Sequence, residues 1–91
     1  MNINSICVCG AGTMGSGIAQ AVAQSGFFTL LYELNPAVLE KAKISIEKNL
    51  QGQVEKARMT LEERTNVLNR LRFTDDIQTC LADVFIEAII E

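Results

Sequence analysis

Three glycines in the run Gly10-Ala11-Gly12-Thr13-Met14-Gly15 carry the clearest chemical signal in this chain. The pattern matters because of its flanks. Before it, the stretch from Ile3 to Cys9 is short, mostly apolar and suited to a buried strand. After it, Met14, Ile18, Ala21, Val22 and Ser25 recur at helical spacing until Gly26 supplies a stop. A strand that turns directly into a helix aims the unpaired N–H groups and positive dipole end of the first helical turn at the turn itself, which attracts an anion. Each glycine has its own task in such a turn. Gly10 permits the tight bend, Gly12 lets main chain approach a diphosphate without a Cβ in the way, and Gly15 lets helix and sheet pack closely.

A carboxylate completes the pattern. Glu33 lies 18 positions after Gly15, at the end of the β-prone run Phe27 to Tyr32. That is near the ~20 residues at which an acidic side chain hydrogen-bonds adenosine ribose hydroxyls. Loop and carboxylate together imply a dinucleotide. A negative charge there repels a 2′-phosphate, and neither Leu34 nor Asn35 is an arginine, so the expected cofactor is NAD rather than NADP. Taken singly the signals are weaker: glycine loops of this kind also serve FAD, S-adenosylmethionine or no ligand, and a lone Glu33 reads more readily as a solvated strand-end charge than as a ribose ligand. Gly17 costs about 1 kcal/mol relative to alanine inside a helix. Close packing against the second strand or the dinucleotide would account for it; a tolerated neutral residue is the alternative.

The elements that hold these residues follow from periodicity. The first helix is expected from Thr13 to Ser25 and the second strand from Phe27 to Tyr32. Asn35-Pro36 reads as an N-cap and first helical residue, followed by an apolar stripe of Leu39, Ala42, Ile46, Leu50, Val54 and Ala57. Thr60 and Glu63 have capping-box spacing, opening a third helix with Leu61, Leu68 and Leu71. A short strand is expected over Arg72-Phe73-Thr74, a helical turn from Asp75 to Leu81, and a buried strand from Val84 to Ile90. Alternating strands and helices give an α/β fold with a parallel sheet and right-handed crossovers. Its expected strand order is 3-2-1-4, a truncated doubly wound Rossmann sheet with an apolar edge strand left unpaired.

Composition narrows the field. With 48% apolar and 21% charged residues, the 91-residue chain is an ordinary globular segment of at most one small domain. A net charge of −3 supplies no field for nucleic acid or anionic lipid, and no apolar run approaches the ~20 residues that span a bilayer. No nucleic-acid or membrane partner is expected, and the start of the chain lacks the positive charge of a signal peptide, which suits the cytoplasm. Cys7 and Cys9 sit two apart on the first strand and so share a face. A metal or redox pair is one reading. Buried thiols are the plainer one, since no turn brings the two sulfurs together and the chain has no histidine.

The run Val8-Cys9-Gly10-Ala11-Gly12-Thr13-Met14-Gly15-Ser16-Gly17-Ile18-Ala19-Gln20 resembles the N-terminal fingerprint of the 3-hydroxyacyl-CoA dehydrogenases, including the bacterial 3-hydroxybutyryl-CoA dehydrogenases. Leu31-Tyr32-Glu33-Leu34-Asn35-Pro36 resembles that family's second-strand end, where Asp is usual in place of Glu33. Phe85-Ile86-Glu87-Ala88-Ile89-Ile90-Glu91 resembles its fourth strand. The resemblance implies that residues 1–91 are the first part of an NAD-binding Rossmann domain. The remainder, with a C-terminal helical dimerisation domain, would lie beyond. It implies NAD held by Gly10, Ala11, Gly12, Thr13, Met14 and Gly15 at its diphosphate, by Glu33 at its ribose, and by Glu91 near the nicotinamide. It also implies an acyl-CoA substrate near the second helix, with Lys56 at the place of a phosphate-facing lysine and Asn49 where the family carries serine; a solvated charge is the other reading of Lys56.

In the family a histidine, oriented by a glutamate, removes the hydroxyl proton. No histidine stands in this chain, and a general base must reach its proton, so these 91 residues alone are expected to be catalytically inactive, with none of them a catalytic residue. The full-length protein is expected to be a homodimer. Two alternatives remain at this stage: another Gly-x-Gly-x-Met-Gly dehydrogenase, such as the 3-hydroxyisobutyrate and 6-phosphogluconate group, and a dinucleotide-binding module with no chemistry of its own.

Overall fold

The computed structural model describes residues 5–76 and 84–87. In chain order the elements are β1 (Ser5–Cys9), α1 (Thr13–Gln24), β2 (Phe28–Tyr32), α2 (Pro36–Glu55), α3 (Leu61–Arg70), β3 (Leu71–Thr74) and β4 (Val84–Glu87). All pairings are parallel and the sheet order is β3-β2-β1-β4, as the alternation of elements led us to expect. The helical turn expected from Asp75 to Leu81, the strand beyond Glu87, Cys80 and Glu91 lie largely or wholly outside the described residues.

Register does the positioning. Cys9 pairs with Tyr32 and with Glu87, and Tyr32 pairs with Thr74, so the four C-terminal strand ends line up. One residue further on, Gly10 N–H donates to the Tyr32 carbonyl (2.8 Å) and Glu33 N–H to the Thr74 carbonyl (3.0 Å). The parallel ladder therefore carries the glycine turn and the acidic residue to the same sheet edge.

On one sheet face Ile6, Val8, Leu31 and Leu71 form the main core with Ala19 and Ala23 of α1, Ala42, Ile46 and Leu50 of α2, and Val67 of α3. Burial of aliphatic side chains like these stabilises by about 1.5–3 kcal/mol each, which is the principal attraction between the helices and the sheet. The opposite face carries a smaller cluster, Cys7 and Leu30 with half-buried Cys9 and Tyr32. Neither Cys7 nor Cys9 is in a disulfide. The buried-thiol reading fits Cys7, which is fully buried, whereas Cys9 is only half-buried.

Capping chemistry was legible at two helices. Asn35 Oδ1 accepts from Ala37 N–H (3.0 Å) and Val38 N–H (3.4 Å) ahead of Pro36. Thr60 Oγ1 accepts from Glu63 N–H (3.0 Å), while the Glu63 carboxylate accepts from Thr60 N–H (3.2 Å). Two apolar stripes were drawn wrongly. Ala57 does not extend the α2 stripe: it is exposed at φ 58°, where the chain reverses and Arg58 N–H bonds the Gln53 carbonyl. Met59, just past the reversal, is buried in its place. On α3, Leu61 is 63% exposed in the first turn and Val67 takes the core position. Leu71 is not helical but starts β3, one residue before the expected strand. Arg70 fixes that end, its Nε donating to the Ala23 carbonyl of α1 (2.8 Å) and satisfying a helix-terminal acceptor.

Candidate functional site: the glycine turn and the cleft beside it

Gly10 adopts φ 105°, a left-handed conformation open to glycine and strained for other residues, and this turns β1 toward α1. Gly12 is the N-cap of α1 in an extended conformation (φ −67°) that any residue tolerates. A Cβ built on Gly12 meets no atom within 4 Å. Neither backbone strain nor protein packing demands glycine there, so the empty space is available to a ligand. Thr13 and Met14 lie exposed in the first turn, and Gly15 is buried against the sheet.

The helix start is left open electrostatically as well. α2 and α3 have side-chain caps, whereas α1 has no side-chain cap and no acidic residue in its first turn. Orphan N–H groups at an uncapped helix start, with the positive end of the dipole behind them, are an anion site in the making.

Glu33 closes the arrangement from the next strand. Its Oε1 accepts from Ala11 N–H at 2.9 Å and its Oε2 from Asn35 N–H at 3.0 Å. One carboxylate thus ties the glycine turn to the start of α2. The Ala11 N–H, and after it the Asn35 N–H, hold the ionised form and lower the carboxyl's pKa from its ordinary value, against the opposing effect of burial. Its distance from Gly15 led us to expect a ribose ligand at this position. The second task, bracing the turn, was not anticipated.

Between α1 and α2 runs a cleft of about 480 Å³, with Gly12, Thr13 and Ser16 on one side and Lys41, Ser45 and Asn49 on the other. Asn49, expected near a substrate, lines this cleft and donates to Gln20 Oε1 (3.3 Å). Lys56 does not: it caps the far end of α2, exposed, and is not part of the cleft wall. Gly17 also lines the cleft, and a Cβ there meets nothing within 4 Å. Close packing against the second strand is therefore not its reason. Lys41 and Ser45 were overlooked; their spacing with Asn49, four residues each, was the available signal, since it sets all three along one helix face.

The family model described as 3-hydroxyacyl-CoA dehydrogenase, NAD binding domain, matches residues 5–91. The chain belongs to this family. It is 40% identical over 92 residues to a probable 3-hydroxybutyryl-CoA dehydrogenase of Bacillus subtilis, covering 100% of this chain and 32% of that protein. It is 36% identical to the 3-hydroxyadipyl-CoA dehydrogenase of Escherichia coli over 92 residues, covering 100% of this chain and 19% of the relative. Among solved structures, a 3-hydroxybutyryl-CoA dehydrogenase of Escherichia coli superposes with a TM-score of 0.94 at 36% identity, over 100% of this chain and 20% of that one. The chain thus spans about a third of the Bacillus relative's length and less of the others. Its fold is the Rossmann dehydrogenase fold of these neighbours, NAD is the family's cofactor, and the other glycine-loop dehydrogenases are not favoured. No described helix is long and apolar enough to cross a membrane.

Proposed function

We propose that this chain is the dinucleotide-binding part of an NAD-dependent enzyme that interconverts 3-hydroxyacyl-CoA and 3-oxoacyl-CoA. The observation that carries the reading is the 2.9 Å bond between the Glu33 carboxylate and Ala11 N–H, which joins a ribose-reading acid to a phosphate-reading turn in one crevice. The open space at Gly12 and the uncapped start of α1 fit a diphosphate. Bound NAD would supply the hydride acceptor. The protein's own residues bind and orient it: the turn from Gly10 to Gly15 at the diphosphate, and Glu33 at the adenosine ribose. Glu33 also repels a 2′-phosphate. Glu91 is proposed near the nicotinamide end on the family resemblance alone. The proton-transfer groups belong to chain beyond these residues, in a full-length homodimer acting on acyl-CoA.

The cytoplasm is the proposed compartment, and the thiols of Cys7 and Cys9, neither of them in a disulfide, suit a reducing environment. The test is calorimetric. NADH is expected to bind the purified chain and NADPH to bind at least tenfold more weakly, with Glu33→Ala narrowing that gap; equal affinity for the two cofactors, or no binding of NADH, overturns the proposal.

A further inference from the structure

The run from Val8 to Gln20 ends on a side chain that the dinucleotide reading does not use. Gln20 is only 9% exposed, and a polar group taken out of water is costly unless its hydrogen bonds are met. They are met by a row of amides that passes from α2 to α1 and back. Asn49 Nδ2 donates to Gln20 Oε1 (3.3 Å), Gln20 Nε2 to Gln24 Oε1 (3.2 Å), and Gln24 Nε2 to Gln53 Oε1 (3.1 Å). Gln20 and Gln24 on α1, like Asn49 and Gln53 on α2, lie four residues apart on one helix face, so the row forms in a single axial register of the two helices.

Apolar packing does not supply that register. The fully buried apolar side chains of α1 are Ala19 and Ala23, and burial of such small groups is non-directional, whereas a hydrogen bond requires its distance and angle. The row also stands where the cleft ends. Gly12, Thr13 and Ser16 face Lys41 and Ser45 across open space, and the bond between Gln20 and Asn49 joins the helices about 12 Å along α1 from Gly12. At the other end the Glu33 carboxylate links Ala11 N–H to Asn35 N–H. The gap between α1 and α2 is thus tied at both ends, by a carboxylate at the glycine turn and by amides at the far side.

Resting on the function proposed above, we infer that Gln20 is a positioning residue for the cofactor: the amide row holds α1 in register on α2, so that its first-turn N–H groups face the diphosphate before it arrives. Cofactor binding then has less of the protein to order. Gln20 lies outside the glycine turn and acts through α1.

The experiment is a calorimetric titration of NADH into the purified chain and its Gln20→Met, Gln20→Glu, Gln24→Met and Thr60→Ala variants, with a thermal melt of each to verify folding. Met keeps the length and helical preference of Gln and removes both bonds. Glu keeps an acceptor for Asn49 Nδ2, and at about 0.15 M salt its charge, about 12 Å from Gly12, lies beyond the screening length of about 8 Å. Thr60→Ala lowers stability at the remote cap of α3 and leaves the row intact. NADH affinity is expected to fall about threefold or more for Gln20→Met and about twofold for Gln24→Met, and to change less than about 1.5-fold for Gln20→Glu and Thr60→Ala. Backbone amide resonances from Gly12 to Gly15 are expected to move in the cofactor-free Gln20→Met chain, which a purely local role would leave in place. The inference is overturned if Gln20→Met loses less than that, if Gln20→Glu or Thr60→Ala loses as much as Gln20→Met, or if the Gly12 to Gly15 resonances stay where they are. Should Gln20→Met not fold, Gln24→Met at its exposed position decides, and affinity equal to wild type there overturns the inference. Absence of NADH binding by the wild-type chain sinks the dinucleotide reading; NADH binding that is indifferent to the row sinks only the role of Gln20.

Discussion

Replacing Glu33 by Gln removes the charge but keeps the shape of the group that ties the glycine turn to α2. The carboxylate accepts two main-chain bonds, from Ala11 N–H at 2.9 Å and Asn35 N–H at 3.0 Å. Hydrogen bonds to a charged acceptor contribute about 1.5–3 kcal/mol each, and the low end applies because Glu33 is only half-buried. Gln offers one acceptor oxygen, and its NH₂ must face the other N–H, so one bond is lost and the survivor weakens to about 1 kcal/mol. The net loss is about 2 kcal/mol, which for a chain of this size lowers Tm by roughly 8–16 °C.

The pH dependence of the same substitution isolates its cause. The folded carboxyl titrates below its ordinary value of 4.5, chiefly because Ala11 N–H and then Asn35 N–H bond the ionised form. A group with a depressed folded pKa stabilises fully above its unfolded value, and that contribution disappears as pH falls through the folded one. Urea melts of wild type and Glu33→Gln between about pH 7 and pH 3 are therefore expected to show a gap that is constant near neutrality and shrinks on acidification below about 4.5. A gap that persists unchanged at the acid end, or a variant as stable as wild type at pH 7, refutes the reasoning.

The remaining predictions concern helices and the cleft. Thr60→Ala breaks the capping box of α3 and is expected to cost about 1 kcal/mol in chemical denaturation, with Glu63→Ala adding little once Thr60 is gone. Ala57→Gly relieves a non-glycine residue at φ 58° and is expected to stabilise by about 0.5–1 kcal/mol, read as a higher melting temperature. Gly17→Ala is expected to raise stability by up to about 1 kcal/mol, because its methyl enters open space; an unchanged or lowered denaturation midpoint would contradict this.

Most of the architecture was written in local pattern. Asn35-Pro36 and the Thr60/Glu63 pair announced two helix starts because capping is decided within four residues. The order of the strands followed from alternation and handedness, rules that need no knowledge of side-chain packing. What failed was decided at longer range. Ala57 continues a helical period on paper, but the helix stops where the chain must double back to bring Val67 and Met59 under the sheet. Leu61 looks like a core residue by type and stands exposed because the first turn of α3 points outward. The site divides in the same way: the glycine turn and Glu33 were legible because parallel register carries them together, whereas the cleft depends on how α1 and α2 face each other. That juxtaposition separates Asn49, which lines the cleft, from Lys56, which does not, and it brings forward Lys41, whose type alone says nothing.

The claim on which the rest stands is tested most directly by titrating NADH into the isotopically labelled chain and following backbone amide resonances. The largest shifts are predicted at Ala11 to Gly15 and at Glu33 to Asn35, with NADPH producing them only at far higher concentration. Shifts centred on another part of the fold, or equal responses to the two cofactors, would contradict it.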